Sequence, residues 1–337
     1  MKTIIRLVLL LFIIGIVLTM VAFVSGVNLD SITSYVSDDE AYGDPIELIT
    51  TTTIDTLDID LATRNIDISV TTEDHVIVTY HEHEKDTWTI SEANGTLNII
   101  QTVKPIFFSW FNFKIASHEV MTVYIEIPSD WVLEYSLMSN TGDIEYVEGP
   151  LVATEISIES KTGDTDLENI TMDSLLIRMD TGDASLKNLI VTGDLDAESD
   201  TGNIVLNNIS ADKVILDNAT GKISATDLIA SSLIADTSTD NVTLTDSTIS
   251  GTVYLSTNTG NVAVTDSTGT GFDLSTNTGN IRFTSAVNLD LRYNLSTSTG
   301  HVSVNEEDQG DRHTTSSGDI LLKGDTTTGN ITVNVQD

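Results

Sequence analysis

Four groups of residues in this chain have types and spacings that could support chemistry. Asp143, Asp164 and Asp183 recur about twenty residues apart, backed by Glu145 and Asp166. Brought together, they would offer a strip of hard oxygen ligands for Ca2+ or Mg2+. No EF-hand loop or glycine-rich nonapeptide repeat accompanies them, so diffuse counterion attraction is the competing reading. His81 and His83 flank Glu82 in an alternating stretch, which would place both rings on one strand face. With His75 or His118 they could ligate zinc, although scattered surface histidines are the plainer reading. Phe107, Phe108, Trp110, Phe111 and Phe113 fall within seven residues and hold half of the eight phenylalanines. As an exposed loop they would contact lipid or a partner, and as a buried one they would fill a core. Thr257-Asn-Thr259, Thr276-Asn-Thr278 and Thr297-Ser-Thr299 form ranks of the kind an ice-binding face uses. Each rank runs straight into a glycine turn, so β-propensity accounts for it more simply.

Catalytic patterns are not found. The chain has no Gly-x-Ser-x-Gly elbow, no phosphate loop and no Ser/His/Asp spacing, so no catalytic residue is assigned and an enzyme is not expected. A polysaccharide-active enzyme is the alternative from another class, and it would need a cluster of acids on one face. Composition removes further classes. With 51 acidic against 15 basic side chains and a net charge of −36, the chain is unsuited to nucleic acid, which is bound chiefly through Lys and Arg. Cysteine is absent, which excludes disulfides, thiol catalysis and thiolate-bound metal. The acidity fits a salty habitat as well as it fits binding of cations or basic partners.

The elements that must position these residues are repeats. From Thr141 onward a Thr-Gly-Asp/Asn unit recurs every 18–21 residues, with one final step of 11. Its glycine column reads Gly142, Gly163, Gly182, Gly202, Gly221, Asp240 in place of Gly, Gly260, Gly279, Gly300, Gly318 and Gly329. Two and four residues after each column position, the chain is predominantly apolar, as at Ile204 and Leu206 or Val262 and Val264. Alternation at period two after a turn predicts a strand with one buried face. A second short strand, such as Val214-Ile215-Leu216, fills the rest of each unit. The fold class expected is therefore all-β, a parallel β-solenoid of 19–20-residue coils. Asp, Asn or another residue follows each glycine, so coils spaced about 4.8 Å apart would stack these side chains into a ladder.

Residues 1–26 read as a cytoplasmic tip and transmembrane anchor. Leu7 to Val24 carry no charge over 18 residues, near the lower limit for a membrane span, with Lys2 and Arg6 before them and acids after. A cleaved signal peptide is the competing reading. Residues 27–47 read as an acidic spacer, 48–138 as an N-terminal β-strand region or cap, and 139–337 as the solenoid. The region 48–138 is either a sandwich-like cap or a set of wider first coils. The chain stops at Ile331-Thr-Val-Asn-Val with no cap of its own, which predicts an exposed edge available for self-association.

The alternating N-terminal strands, the strand Val123-Tyr-Ile-Glu-Ile-Pro128, and Ser139-Asn-Thr-Gly-Asp-Ile opening the ladder together resemble the bacterial "putative adhesin" or toast-rack β-strand-repeat family. The resemblance spans about residues 48–337. It implies a single-pass cell-membrane protein with its bulk outside, serving as an adhesin-like scaffold with an envelope protein or cell-wall polymer as partner. An accessory sensor of envelope stress is its variant. The family supplies no cofactor and no catalytic residues.

Overall fold

The computed structural model describes residues 38–104, 116–146 and 149–336. The apolar segment 7–24 and the aromatic cluster 107–113 lie outside them. Among the described residues no helix is long and apolar enough to cross a membrane.

Apart from short helical turns at Asp39–Ala41 and His118–Met121, the described residues are all-β, and their strands form a long, mainly parallel and unclosed ladder, coil upon coil. Each coil contributes one long strand and one or two shorter ones. Asp194–Thr201, Lys213–Thr220 and Ser232–Thr239 stack in parallel on the long-strand side. Ile204–Ser210, Ile223–Ala230 and Val242–Thr245 stack in parallel on the short-strand side. Alternate residues point inward, as period two requires. The apolar residues two and four after the column, such as Ile204, Leu206, Val262 and Val264, are buried, with Val304 in the outer coil only partly so. Burial of each large aliphatic side chain contributes about 1.5–3 kcal/mol, so stacking repeats is what stabilises a coil that could not bury its face alone. Inward positions alternate in size where the two sides meet. Phe272 and Phe283 pack edge to face at 4.9 Å, and Gly324 lies inward against Leu295 and Ile331.

Both ends are built out of chain order. At the N-terminal end Thr56–Leu61 lies between Leu133–Ser139 and Thr96–Val103, so the second coil in sequence is the outer one. Asp86–Ala93 then pairs antiparallel with Thr96–Val103, while Ile77–Tyr80 and Ile46–Ile49 close the other side antiparallel. Residues 48–138 thus include coils of the same ladder.

The C-terminal end overturns the expected exposed edge. Ile320–Thr328 pairs with Gly271–Thr278 on one flank and Leu291–Thr299 on the other. Ile331–Val335 likewise lies between Ile281–Ser285 and Val302–Val304. The last coil in sequence is inserted between the two before it, so the C-terminal strand is internal. The outer coil 291–304 forms the end of the rod, covered by the antiparallel strands Arg312–Thr314 and Glu307–Asp308. Antiparallel closure hides the edge that a parallel stack would leave open to further chains.

Candidate functional site

The corner between long and short strands carries the chain's most regular chemistry. Nine column glycines adopt φ between 137° and 157°. A Cβ on Gly202 would lie 1.8 Å from the Gly182 carbonyl oxygen, and the same approach repeats along the column. Glycine is required there twice over, for the dihedral and for the space. Gly318 is not a member. It lies against Leu291 and Arg292 just before a long strand, and the column runs Gly279, Gly329, Gly300. Because the antiparallel strands at 307–314 return the chain to the long-strand side, Leu322 pairs with Phe272 rather than following a column turn.

The residue after each glycine forms a ladder of acceptors. Asp143 Oδ1 accepts the Asp164 backbone N–H at 2.8 Å, Asp164 accepts that of Asp183 at 2.8 Å, and Asp183 accepts that of Asn203. The run continues through Asn203 to Lys222, from Asn241 to Asn261 to Asn280, then to Asn330 and His301. Carboxylate and carboxamide share the acceptor oxygen this bond needs, which is why Asp and Asn interchange along it. The three carboxylates read as a cation strip are therefore engaged with backbone. Among the described residues no group of three His, Cys, Asp or Glu could hold a metal ion.

Other candidates are dispersed. The strand at Ile77–Tyr80 ends before the histidines. His81 Nδ1 lies 2.8 Å from the Gly43 carbonyl, His83 packs on the Tyr42 ring at 4.9 Å, and His75 pairs with Asp74. In each Thr-x-Thr rank the first threonine points inward. Thr257, Thr276 and Thr297 donate to the carbonyls of Asp240, Gly260 and Gly329. Only the rest of each rank faces solvent, so the paired hydroxyls of an ice-binding face are not displayed.

Sequence reasoning missed two features. Six residues after the column, Asn169, Asn188, Asn208, Asp227, Asp246 and Asp266 hold φ between 47° and 61°. They make a second left-handed corner, and the signal was the recurrence of Asn or Asp at that fixed offset. The other is a row on the outer face of the long strands, where Tyr254, Asp273 and Lys323 are direct neighbours in adjacent coils. Tyr254 is 47% exposed. Lys323 Nζ lies 3.1 Å from both Asp273 oxygens and 3.8 Å from Asp325, and the bond to Asp273 holds the ammonium pKa above its ordinary value. Asp236 borders the same hollow, takes a bond from the Ser256 hydroxyl, and is raised by burial and then by Asp217. The hollow has a volume of about 280 Å³ and adjoins a trough of about 340 Å³ lined by polar side chains. No sequence signal marks this row, because Lys323 arrives only through the inserted coil.

No curated protein matches the sequence. Among solved structures, the chain is similar to a "putative adhesin" from Parabacteroides merdae at 14% identity, covering 88% of this chain and 97% of that one, with a TM-score of 0.40. A "putative adhesin" from Bacteroides fragilis aligns at 14% identity over 87% and 98%, with a TM-score of 0.38. A "putative lipid binding protein" from Parabacteroides distasonis aligns at 11% over 88% and 98%, with a TM-score of 0.39. The sequence profile of the Toastrack DUF4097 family matches residues 54–227, just over half the chain and the part that holds the first coils and the start of the glycine column. The chain belongs to the Toastrack DUF4097 family.

Proposed function

We propose that this protein is a non-enzymatic, membrane-anchored display rod of a bacterial envelope, adhesin-like in role. The observation that carries the reading is the ladder itself, with coils joined by tight corners and both ends closed by antiparallel strands. Such a body holds its faces rigid and resists end-to-end growth, which suits presentation of a surface rather than formation of a deep reaction cleft. Leu7 to Val24 would anchor it, and the acidic residues 27–47 would hold the rod off an anionic membrane surface. The large negative charge would keep anionic polymers away and admit neutral or basic partners.

Cell fractionation with protease shaving tests this. The protein is expected in the membrane fraction, with residues after 38 cleaved from outside intact cells and the N-terminus protected. Recovery in the cytosol, or protection of the rod from external protease, would overturn it.

A further inference from the structure

The outer face of the long strands near the C-terminal end combines an aromatic platform, a fixed acceptor and a fixed donor in one row. Tyr254, Asp273 and Lys323 come from three adjacent coils, and Lys323 is clamped between Asp273 and Asp325. Both carboxylates are thereby oriented before any ligand arrives, which lowers the ordering cost of binding. Beside this row the trough offers carboxamides at the same pitch. Asn277 Nδ2 donates to Asn258 Oδ1 at 2.9 Å, and both residues are exposed. These two carboxamides lie one coil apart, at about 4.8 Å, and the next two coils place the hydroxyls of Thr327 and Ser298 at the same position. That pitch is close to the length of a single hexose in an extended chain.

The chemistry narrows the ligand. An exposed ring accepts the apolar face of a sugar, and alternating acceptors and donors suit its hydroxyls. Asp273 and Asp325 hold the one ammonium, and Asp236 borders the same hollow, so carboxylates outnumber the cation. That balance repels anionic polymers. A trough lined by Ser, Thr, Asn and Asp side chains offers acyl chains little apolar surface. We propose that the Tyr254–Asp273–Lys323 row and its trough bind a neutral, β-linked polysaccharide laid along the rod axis. The site rests on the display reading for its location outside the cell but not for its chemistry.

The test is calorimetric titration of the full chain in detergent with tetrasaccharides of β-linked glucose, β-linked N-acetylglucosamine and galacturonate. Binding of a neutral tetrasaccharide and rejection of galacturonate are expected. Tyr254→Ala and Lys323→Met should each weaken binding at least tenfold, Tyr254→Phe should retain it, and Val205→Ala on the short-strand side should change nothing. Failure of the wild type to bind either neutral ligand would overturn the proposal, as would undiminished binding by a correctly folded Tyr254→Ala or equal binding of galacturonate. Surface exposure of the rod in the shaving assay, together with any of those failures, would remove the trough and leave the display reading standing.

Discussion

The acceptor ladder along the glycine corner breaks once among the described residues, and the break has a counterpart. Lys222 occupies a ladder position, and an ammonium cannot accept a hydrogen bond. The N–H it would serve in the next coil belongs to Asn241. That N–H donates instead to Asp240 Oδ1 at 2.7 Å. Asp240 is the one column residue that is not glycine, and it holds φ of 98° where its neighbours hold 137° or more. The two departures compensate each other. A non-glycine residue in that dihedral region costs about 1 kcal/mol or more, and the bond to Asn241 returns about 1 kcal/mol. Asp240→Gly alone should therefore be close to neutral, since strain relief and the lost acceptor cancel. Lys222→Asn alone should also be close to neutral, because Asn241 is already served. The double variant keeps an acceptor and removes the strain, so it should gain about 1 kcal/mol beyond the sum of the singles. Urea unfolding followed by circular dichroism on all four proteins measures this coupling. Hydrogen exchange at the Asn241 amide should accelerate in Asp240→Gly and recover in the double variant. Additivity within about 0.3 kcal/mol, with unchanged exchange, would refute the compensation.

Three further outcomes follow from the same coordinates. Arg64 and Asp86 form an ion pair with both side chains only 3% exposed, so Asp86→Ala should cost about 3–5 kcal/mol, read by urea unfolding through nearby Trp88. The paired replacement Arg64→Met with Asp86→Leu should recover most of that loss, and a mild effect of Asp86→Ala would show the pair to be dispensable. Glu145 stands in one row between Asp67 and Asp166, and burial followed by their charges raises its pKa. A carboxyl raised in the folded state destabilises the fold above its folded pKa, and the penalty lifts as pH falls to the unfolded value near 4.3. Glu145→Gln should therefore raise Tm at pH 7, with a gain that vanishes near pH 4; a pH-independent gain would exclude the titration. Truncation after Ser317 removes the inserted coil and leaves 271–285 and 291–304 facing a gap one coil wide. Limited proteolysis should then cut between 286 and 317 while earlier coils stay protected, and an unchanged digestion pattern would place the last coil elsewhere.

The sequence by itself determined the coil. The glycine column, the apolar rows two and four residues beyond it and the single family assignment were all legible, because period-two burial and a forced left-handed corner leave direct marks on residue type. It also exposed the Asp and Asn run, although the reason for that run, acceptance of the next coil's N–H, needed coordinates. The order of coils at the ends was not legible. Every repeat carries the same signal, so periodicity specifies what a coil is without specifying which coil lies beside it. Gly329 shows the difference: in sequence it follows Gly318 by a short step, but in space it separates Gly279 from Gly300. That placement depends on short antiparallel strands at 307–308 and 312–314, too brief to register as a pattern. It alone puts Lys323 beside Asp273 and Tyr254, residues 50 and 69 positions away in the chain. The corner chemistry was local and could be read from spacing. The row on the outer face depends on which coils are neighbours, and only the tertiary structure decided that.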